Sequence, residues 1–424
     1  MNTLILGSGG REHVFAWKIS QSEKSEKLYI APGNAGTKLL GENIDLNISN
    51  FDEVANFISQ NKIDMLVVGP EVPLVEGVVD YFLENKKFEN LKIIGPDKKG
   101  AMLEGSKEFA KEFMTKNNIP TAKFISVTKN NFDEGIKFIQ NTKSPYVLKA
   151  DGLAAGKGVL IIDNEQEAID ELNLMINGKF GNASQKVVIE EFLSGIELSV
   201  FVVSDGKNYK ILPTAKDYKR IGENDTGLNT GGMGAVSPVW FADKAFMSKV
   251  EDRIIRPTMS GFQKEGIVYK GFIFIGLMNV NDEPYVIEYN VRMGDPETEA
   301  VIPLIKSDLL DLFCGVADGN INERKIEISD QFCTTVMLVS AGYPENYEKN
   351  KIISGLEETK DCIVFHAGTK NDGKNILTNG GRVISITAFG QNIEEALDKC
   401  YKNAQIIDFE GKTYRKDIGK DLLK

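Results

Sequence analysis

Short apolar runs and longer amphipathic stretches alternate through the first hundred residues. Residues 3–6, 27–31, 64–68 and 91–94 read as buried strands, and 11–21, 51–60 and 73–84 carry apolar positions at helical spacing. That order predicts an open parallel sheet with helices on both faces. Each expected strand runs into a turn rich in Gly, Pro or Asn, at 7–10, 32–34, 69–71 and 95–97. Ligands of such sheets bind at the carboxyl ends of the strands, so four loops are expected to converge on one small molecule.

From about residue 105 the pattern changes to a helix, strands at 146–149 and 159–162, a helix at 165–175, and strands at 186–190 and 198–203. This block reads as α+β with mixed or antiparallel pairing. Residues 213–238 read as a long loop dense in Gly, Asp, Asn and Thr, a composition that favours function. Two apolar runs, 271–280 and 285–289, flank Asn281-Asp282-Glu283 and predict a hairpin. Strands near 334–339, 363–367 and 383–388 with a helix over 393–404 predict a separate C-terminal α+β unit. A length of 424 residues suits such a multidomain α/β and α+β chain. The expected division is 1–104, 105–320 with a lid over about 121–188, and 321–424.

A net charge of −11 disfavours nucleic acid or an anionic membrane as partner. No apolar run approaches the roughly 18 residues of a membrane span, and the apolar start lacks the basic lead of a secretory signal. The four cysteines show no Cys-x-x-Cys spacing, so a reducing, cytoplasmic setting is expected. With two histidines in all, the chemistry falls to Lys, Arg, Asp, Glu, Asn and backbone amides.

Gly7-Ser8-Gly9-Gly10-Arg11-Glu12-His13 follows a strand and opens a helix, a place for an anion. A dinucleotide reading fails: Glu12 stands where the third glycine belongs, and Tyr29-Ile30-Ala31-Pro32 lacks the ribose-binding acid. The phosphate of a smaller substrate fits better, with a plain packing turn as the alternative. Lys149 to Gly158 resembles a phosphate loop, but its glycines are one residue too close and Gly158 replaces the metal-binding hydroxyl. What remains is a flexible glycine turn able to fold over a triphosphate, or a mobile hairpin tip. The apolar strand before Glu190, Glu191 and Glu197 suits an adenine edge and ribose hydroxyls, or is a solvated strand end. In a regular strand Glu288, Asn290 and Arg292 share a face, which suits Mg²⁺ bridged to phosphates; a polar face of an edge strand is the alternative.

Lys107, Lys149, the 152–158 loop, the 190–197 hinge and the Glu288-x-Asn290 pair occur in the order of the ATP-grasp ligases. The 7–13 and 149–158 segments, Ala31-Pro32-Gly33-Asn34-Ala35-Gly36, Asn229-Thr230-Gly231-Gly232-Met233-Gly234-Ala235, Arg292 to Glu297 and Phe365-His366-Ala367-Gly368-Thr369 resemble the phosphoribosylamine-glycine ligase family over essentially the whole chain. The resemblance implies a central two-lobed ATP-grasp module between the two flanking units. It implies a cytoplasmic, monomeric enzyme of purine biosynthesis that joins glycine to phosphoribosylamine through glycyl phosphate, using ATP with Mg²⁺ or Mn²⁺. It assigns Lys107, Lys149, Gly156, Lys157, Gly158, Glu190, Glu191, Phe192, Leu193 and Glu197 to ATP, and Glu288 and Asn290 to the metal. Arg292, Lys149 and Asp295 would be catalytic. Gly9, Gly10, Arg11, Gly33, Asn34, Pro70, Glu71, Lys216, Asp217, Arg220, Gly232, Gly234, Arg292 and Asp295 would line the acceptor pocket. The preceding strand segment Phe274-Ile275-Gly276-Leu277-Met278 offers no further acidic ligand. The alternatives are another ATP-grasp ligase or carboxylase with a different acceptor, and a non-catalytic nucleotide-binding protein; the presence of Lys149, Glu288, Asn290 and Arg292 speaks against the latter.

Overall fold

A computed structural model describes residues 1–153 and 158–423. Strands Asn2–Gly7, Lys27–Pro32, Met65–Val68 and Lys92–Pro96 form the expected parallel sheet, with Asn2–Gly7 between Lys27–Pro32 and Met65–Val68. Its central residues Leu4, Ile5 and Leu6 are fully buried, as strands covered on both faces must be. The helix expected over 73–84 is two, Glu71–Glu76 and Val78–Leu83, because Gly77 adopts φ 98° between them.

The parallel sheet does not end with the N-terminal segment. Tyr269–Val280 pairs antiparallel with Lys92–Pro96 through Tyr269 opposite Pro96 and Lys270 opposite Gly95. It then pairs along its length with Ile196–Ser204 on one side and Glu283–Asn290 on the other. The hairpin turn carries Asn281 and Asp282 at φ 51° and 62°, the left-handed pair that a tight two-residue turn requires.

The antiparallel sheet Phe124–Val127, Val187–Glu191, Tyr146–Ala150, Val159–Ile162 stands apart. Helices Phe132–Asn141 and Glu165–Leu174 back it. Its apolar residues, among them Val127, Ile139, Leu148, Leu172 and Ile189, form a cluster of their own. A private core lets this lobe move as one body.

Residues 213–238 are not one open loop. They hold the short strands Lys216–Asp217, Arg220–Gly222, Thr226–Asn229 and Gly234–Ser237. Gly234–Ser237 pairs with Phe332–Val339, whose other neighbour is Arg382–Gly390, followed by Ile363–His366. The C-terminal sheet is thus completed by strands from the middle of the chain, with helix Ile393–Ile406 packed on it. Glycine-rich composition hid these strands, since four residues are too few to show a period. Among the described residues no helix is long and apolar enough to cross a membrane.

Candidate active site

Helix Lys107–Lys116 begins where the glycine turn starts. Ser106 Oγ accepts from the Phe109 amide at 3.1 Å and donates to Asp151, whose Oδ1 also accepts the Glu108 amide at 2.8 Å. Asp151 therefore caps the helix from across the cleft and holds Lys107 beside the turn. Residues 154–157, including Gly156 and Lys157, lie outside the described residues; Gly158 leads the next strand, its carbonyl accepting the Ala150 amide at 2.8 Å.

Lys107, Lys149, Glu190 and Glu288 surround a small cavity of about 20 Å³. Lys149 Nζ lies 2.8 Å from Glu190 Oε1 and donates to the Ile287 carbonyl at 3.3 Å. Burial alone would push the Glu190 carboxyl up, but Lys149 and Lys111 outweigh it and hold the group below its ordinary range. The Glu190 side chain is therefore committed to lysines, not free at an adenine edge. Beyond it, Glu191 accepts the Lys123 amide at 2.9 Å, Phe192 is exposed, Leu193 is half-buried, and Glu197 pairs with Lys219.

The face expected of Glu288, Asn290 and Arg292 is shared by Glu288 and Asn290, which stand opposite Gly276 and Phe274 in regular register, but not by Arg292. Arg292 lies beyond the strand's end at Asn290; the ladder slips only before Glu288, between Gly276 and Leu277, where Ile287 is an extra residue. Arg292 still reaches the site by another route, bonding Glu104 Oε1 at 2.7 Å and Glu71 Oε2 at 3.3 Å. Burial raises Glu288, but Lys219, Lys107, Lys149 and Arg292 hold its carboxyl below the ordinary range. An ionised carboxylate two residues from an amide oxygen fits a hard divalent cation. Among the described residues no three His, Cys, Asp or Glu side chains converge to hold a metal. These donors fit an ion shared with phosphates and do not make a closed protein cage.

A larger pocket of about 310 Å³ lies between the N-terminal glycine turn, Gly33-Asn34, Asp295 and the C-terminal unit. Gly368 and Gly380 form its far wall, where their backbones cross so closely that a Cβ on Gly368 would sit 2.5 Å from the Gly380 Cα. Asp295 joins the two halves: its carboxylate accepts the Arg11 amide at 3.3 Å and lies 3.1 Å from Arg382 Nη2. Arg382 Nη1 also donates to the Gly231 and Asp295 carbonyls at 2.6 and 2.7 Å. Asn34 Nδ2 ties the walls together, donating to Ser8 O at 2.9 Å and His366 O at 2.8 Å. Beside the pocket His366 N donates to His13 Nδ1 at 2.7 Å.

Of the remaining expected residues, Gly9 and Gly10 start helix Gly10–Ile19, and the Gly9 amide bonds Glu12 at 2.6 Å. Arg11 is buried, bonding Glu12 and the Met293 carbonyl. Pro70 precedes the helix that presents Glu71. Gly232 packs against Pro296, while Gly234 opens the strand beside Phe332–Val339. Asp217 lies near Lys219, Glu197 and Glu288; burial pushes it up to about 6 despite Lys219. Burial and then Asp217 push Glu297 up to about 8. Lys216 does not join the pocket: strand alternation turns it away from Asp217's side, and it pairs with Asp421 near the C-terminus. Arg220 bonds the Gly227 carbonyl within its own hairpin. The sequence reading missed Arg382, Thr369, Glu104, Glu297 and Lys111. A signal existed for two of them: Arg382 follows a glycine pair much as Arg11 does, and Lys111 stands one helical turn after Lys107.

The chain matches the family models described as the N domain, the ATP-grasp (A) domain and the C domain of phosphoribosylglycinamide synthetase over residues 1–104, 105–298 and 333–421. The phosphoribosylamine-glycine ligase of Caldanaerobacter subterraneus is 46% identical over 420 residues, 99% of each chain. That of Haemophilus influenzae is 44% identical over 425 residues, covering 99% of this chain and 98% of the relative. The crystal structure of the Thermotoga maritima ligase superposes with a TM-score of 0.86 at 38% identity, covering 98% of this chain and 100% of that one. A biotin carboxylase domain from Hydrogenobacter thermophilus, at 16% identity and a TM-score of 0.69, shares the fold alone. The chain belongs to the phosphoribosylglycinamide synthetase family, and its central module is an ATP-grasp domain.

Proposed function

We propose that this chain joins glycine to phosphoribosylamine in purine biosynthesis, converting ATP to ADP and phosphate. The observation that carries this reading is the layout of the cleft. A lysine-lined nucleotide end, whose wall residue Glu104 bonds Arg292, is joined through the short segment 292–295 to a pocket large enough for a phosphorylated sugar, which Asp295 lines. A glycine carboxylate oxygen attacks the γ-phosphorus, the bond to ADP breaks, and glycyl phosphate forms. The amine of phosphoribosylamine then attacks the acyl carbon, phosphate leaves, and the nitrogen loses its proton to form the amide.

Lys107 and Lys149 bind the phosphates, and Arg292 neutralises charge on the transferring group. The backbone of Glu191 to Leu193 meets the adenine edge, and Glu197 the ribose. Glu288 and Asn290 hold Mg²⁺ or Mn²⁺, which supplies charge neutralisation at the phosphates. Asp217 and Asp295 face the acceptors. The pocket walled by Gly9, Asn34, Thr369 and Arg382 takes the ribose 5-phosphate. The lobe over residues 121–188 excludes water from the acyl phosphate when it closes. We further propose a cytoplasmic monomer divided at about residues 104 and 320.

The test is ADP release with ATP, Mg²⁺ and glycine, with and without phosphoribosylamine formed in place from ribose 5-phosphate and ammonia. Release that requires every component is expected. Release indifferent to phosphoribosylamine, or none at all, overturns the reading.

A further inference from the structure

The proposed chemistry leaves Lys111 without a role. Its side chain is 2% exposed, an ammonium buried at the cost of its hydration. Nζ donates to Thr121 Oγ1 at 2.7 Å and to Glu190 Oε2 at 2.8 Å. Thr121 Oγ1 in turn donates to the Val286 carbonyl at 2.7 Å, next to the strand residues that carry Glu288. The other Glu190 oxygen lies 2.8 Å from Lys149 Nζ. One buried carboxylate is thus shared by two ammonium groups, Lys111 from the body of the module and Lys149 from the lid sheet.

A lysine that binds phosphates has to loosen its hold on a carboxylate. Stripping a buried ion pair of one partner leaves an uncompensated charge, which is strongly unfavourable. With Lys111 in place, Glu190 keeps a cation when Lys149 turns to the nucleotide. We infer that Lys111 is a positioning residue that keeps Glu190 paired and so frees Lys149 for the phosphates of ATP. The inference rests on the reading of Lys149 as a phosphate ligand. Burial pushes Lys111 down to about 8, with Glu190 opposing, so the carboxylate is also what keeps this lysine charged.

Binding of a non-hydrolysable ATP analogue with Mg²⁺, measured by calorimetry, tests this without turnover. Lys111→Met leaves Glu190 to Lys149 alone, and analogue affinity is expected to fall about tenfold. Adenosine, which has no phosphates, is expected to bind the variant unchanged. In a Glu190→Gln background the same substitution is expected to change analogue affinity less than twofold, because no carboxylate remains to hold Lys149. Unchanged affinity in Lys111→Met, an equal loss for adenosine, or an equal loss in both backgrounds overturns the inference. Lys111→Gln repeats the cycle if the methionine variant does not fold, as judged by its melting curve. If the ATP analogue binds normally while phosphoribosylamine fails to stimulate ADP release, the ligase reading falls and this test still stands.

Discussion

Glu288 lies half-buried among Lys219, Lys107, Lys149 and Arg292, a carboxylate surrounded by cations and ionised because of them. Its removal takes away a metal oxygen and unbalances those charges together. Glu288→Ala is expected to lower turnover by about a hundredfold or more; activity near that of the unaltered chain would end the metal assignment. Arg382 makes a different prediction because it stands at the other end of the cleft. Charge-assisted hydrogen bonds of about 1.5–3 kcal/mol correspond to roughly ten- to a hundredfold in affinity. Arg382→Met is expected to raise KM for phosphoribosylamine by that factor and leave KM for ATP unchanged, which steady-state kinetics would read directly. Lys107, Lys149, Glu288 and Asn290 were legible in the sequence because each sits at a strand end or helix start with a recognisable neighbour. Arg382 was not, because its partners Asp295 and Gly231 lie far away along the chain and meet it only after the sheets assemble.

Elements place these residues through their ends. The cap that Asp151 gives to helix Lys107–Lys116 links the glycine turn to the helix bearing two of the site lysines. Asp151→Ala is expected to cost about 1 kcal/mol of stability, the usual worth of such a cap. It is also expected to weaken ATP binding, since Lys107 loses its fixed position; melting curves and calorimetry separate the two effects. Many strands and helices, from Asn2–Gly7 through Ile393–Ile406, followed from periodicity, but helices Phe132–Asn141, Arg256–Glu265 and Leu309–Asp318 were not among the expected elements. The local failures share one cause. Gly77, the extra residue Ile287 and the four-residue strand Gly234–Ser237 are local departures shorter than any repeat, so no periodic pattern announces them.

At the scale of the molecule, the N-terminal and C-terminal units meet at the buried pair His13 and His366. Burial, and for His13 its neighbour His366, hold the two down to about 3 and about 4 from the ordinary 6.5. Below pH 6.5 the unfolded chain binds two protons that the folded chain refuses, so stability present at neutral pH is lost as the pH falls. The slope approaches about 1.4 kcal/mol per pH unit for each histidine, or about 4 kcal/mol in all between pH 7 and 5. Urea unfolding at the two pH values checks this, and His13→Asn, whose amide oxygen can still accept the His366 amide, should remove about half the slope. The three-part organisation was legible from composition and alternation. That the C-terminal sheet draws strands from residues 216–237 was not, since pairing over such distances leaves no local trace. This pairing bears on the order of synthesis. Gly234–Ser237 leaves the ribosome almost a hundred residues before Phe332–Val339, which at about 5–20 residues per second is a wait of roughly 5–20 s. For that interval its edge is open to any other nascent strand, so chains stalled or truncated before residue 332 are the ones that a cell's chaperones would have to hold.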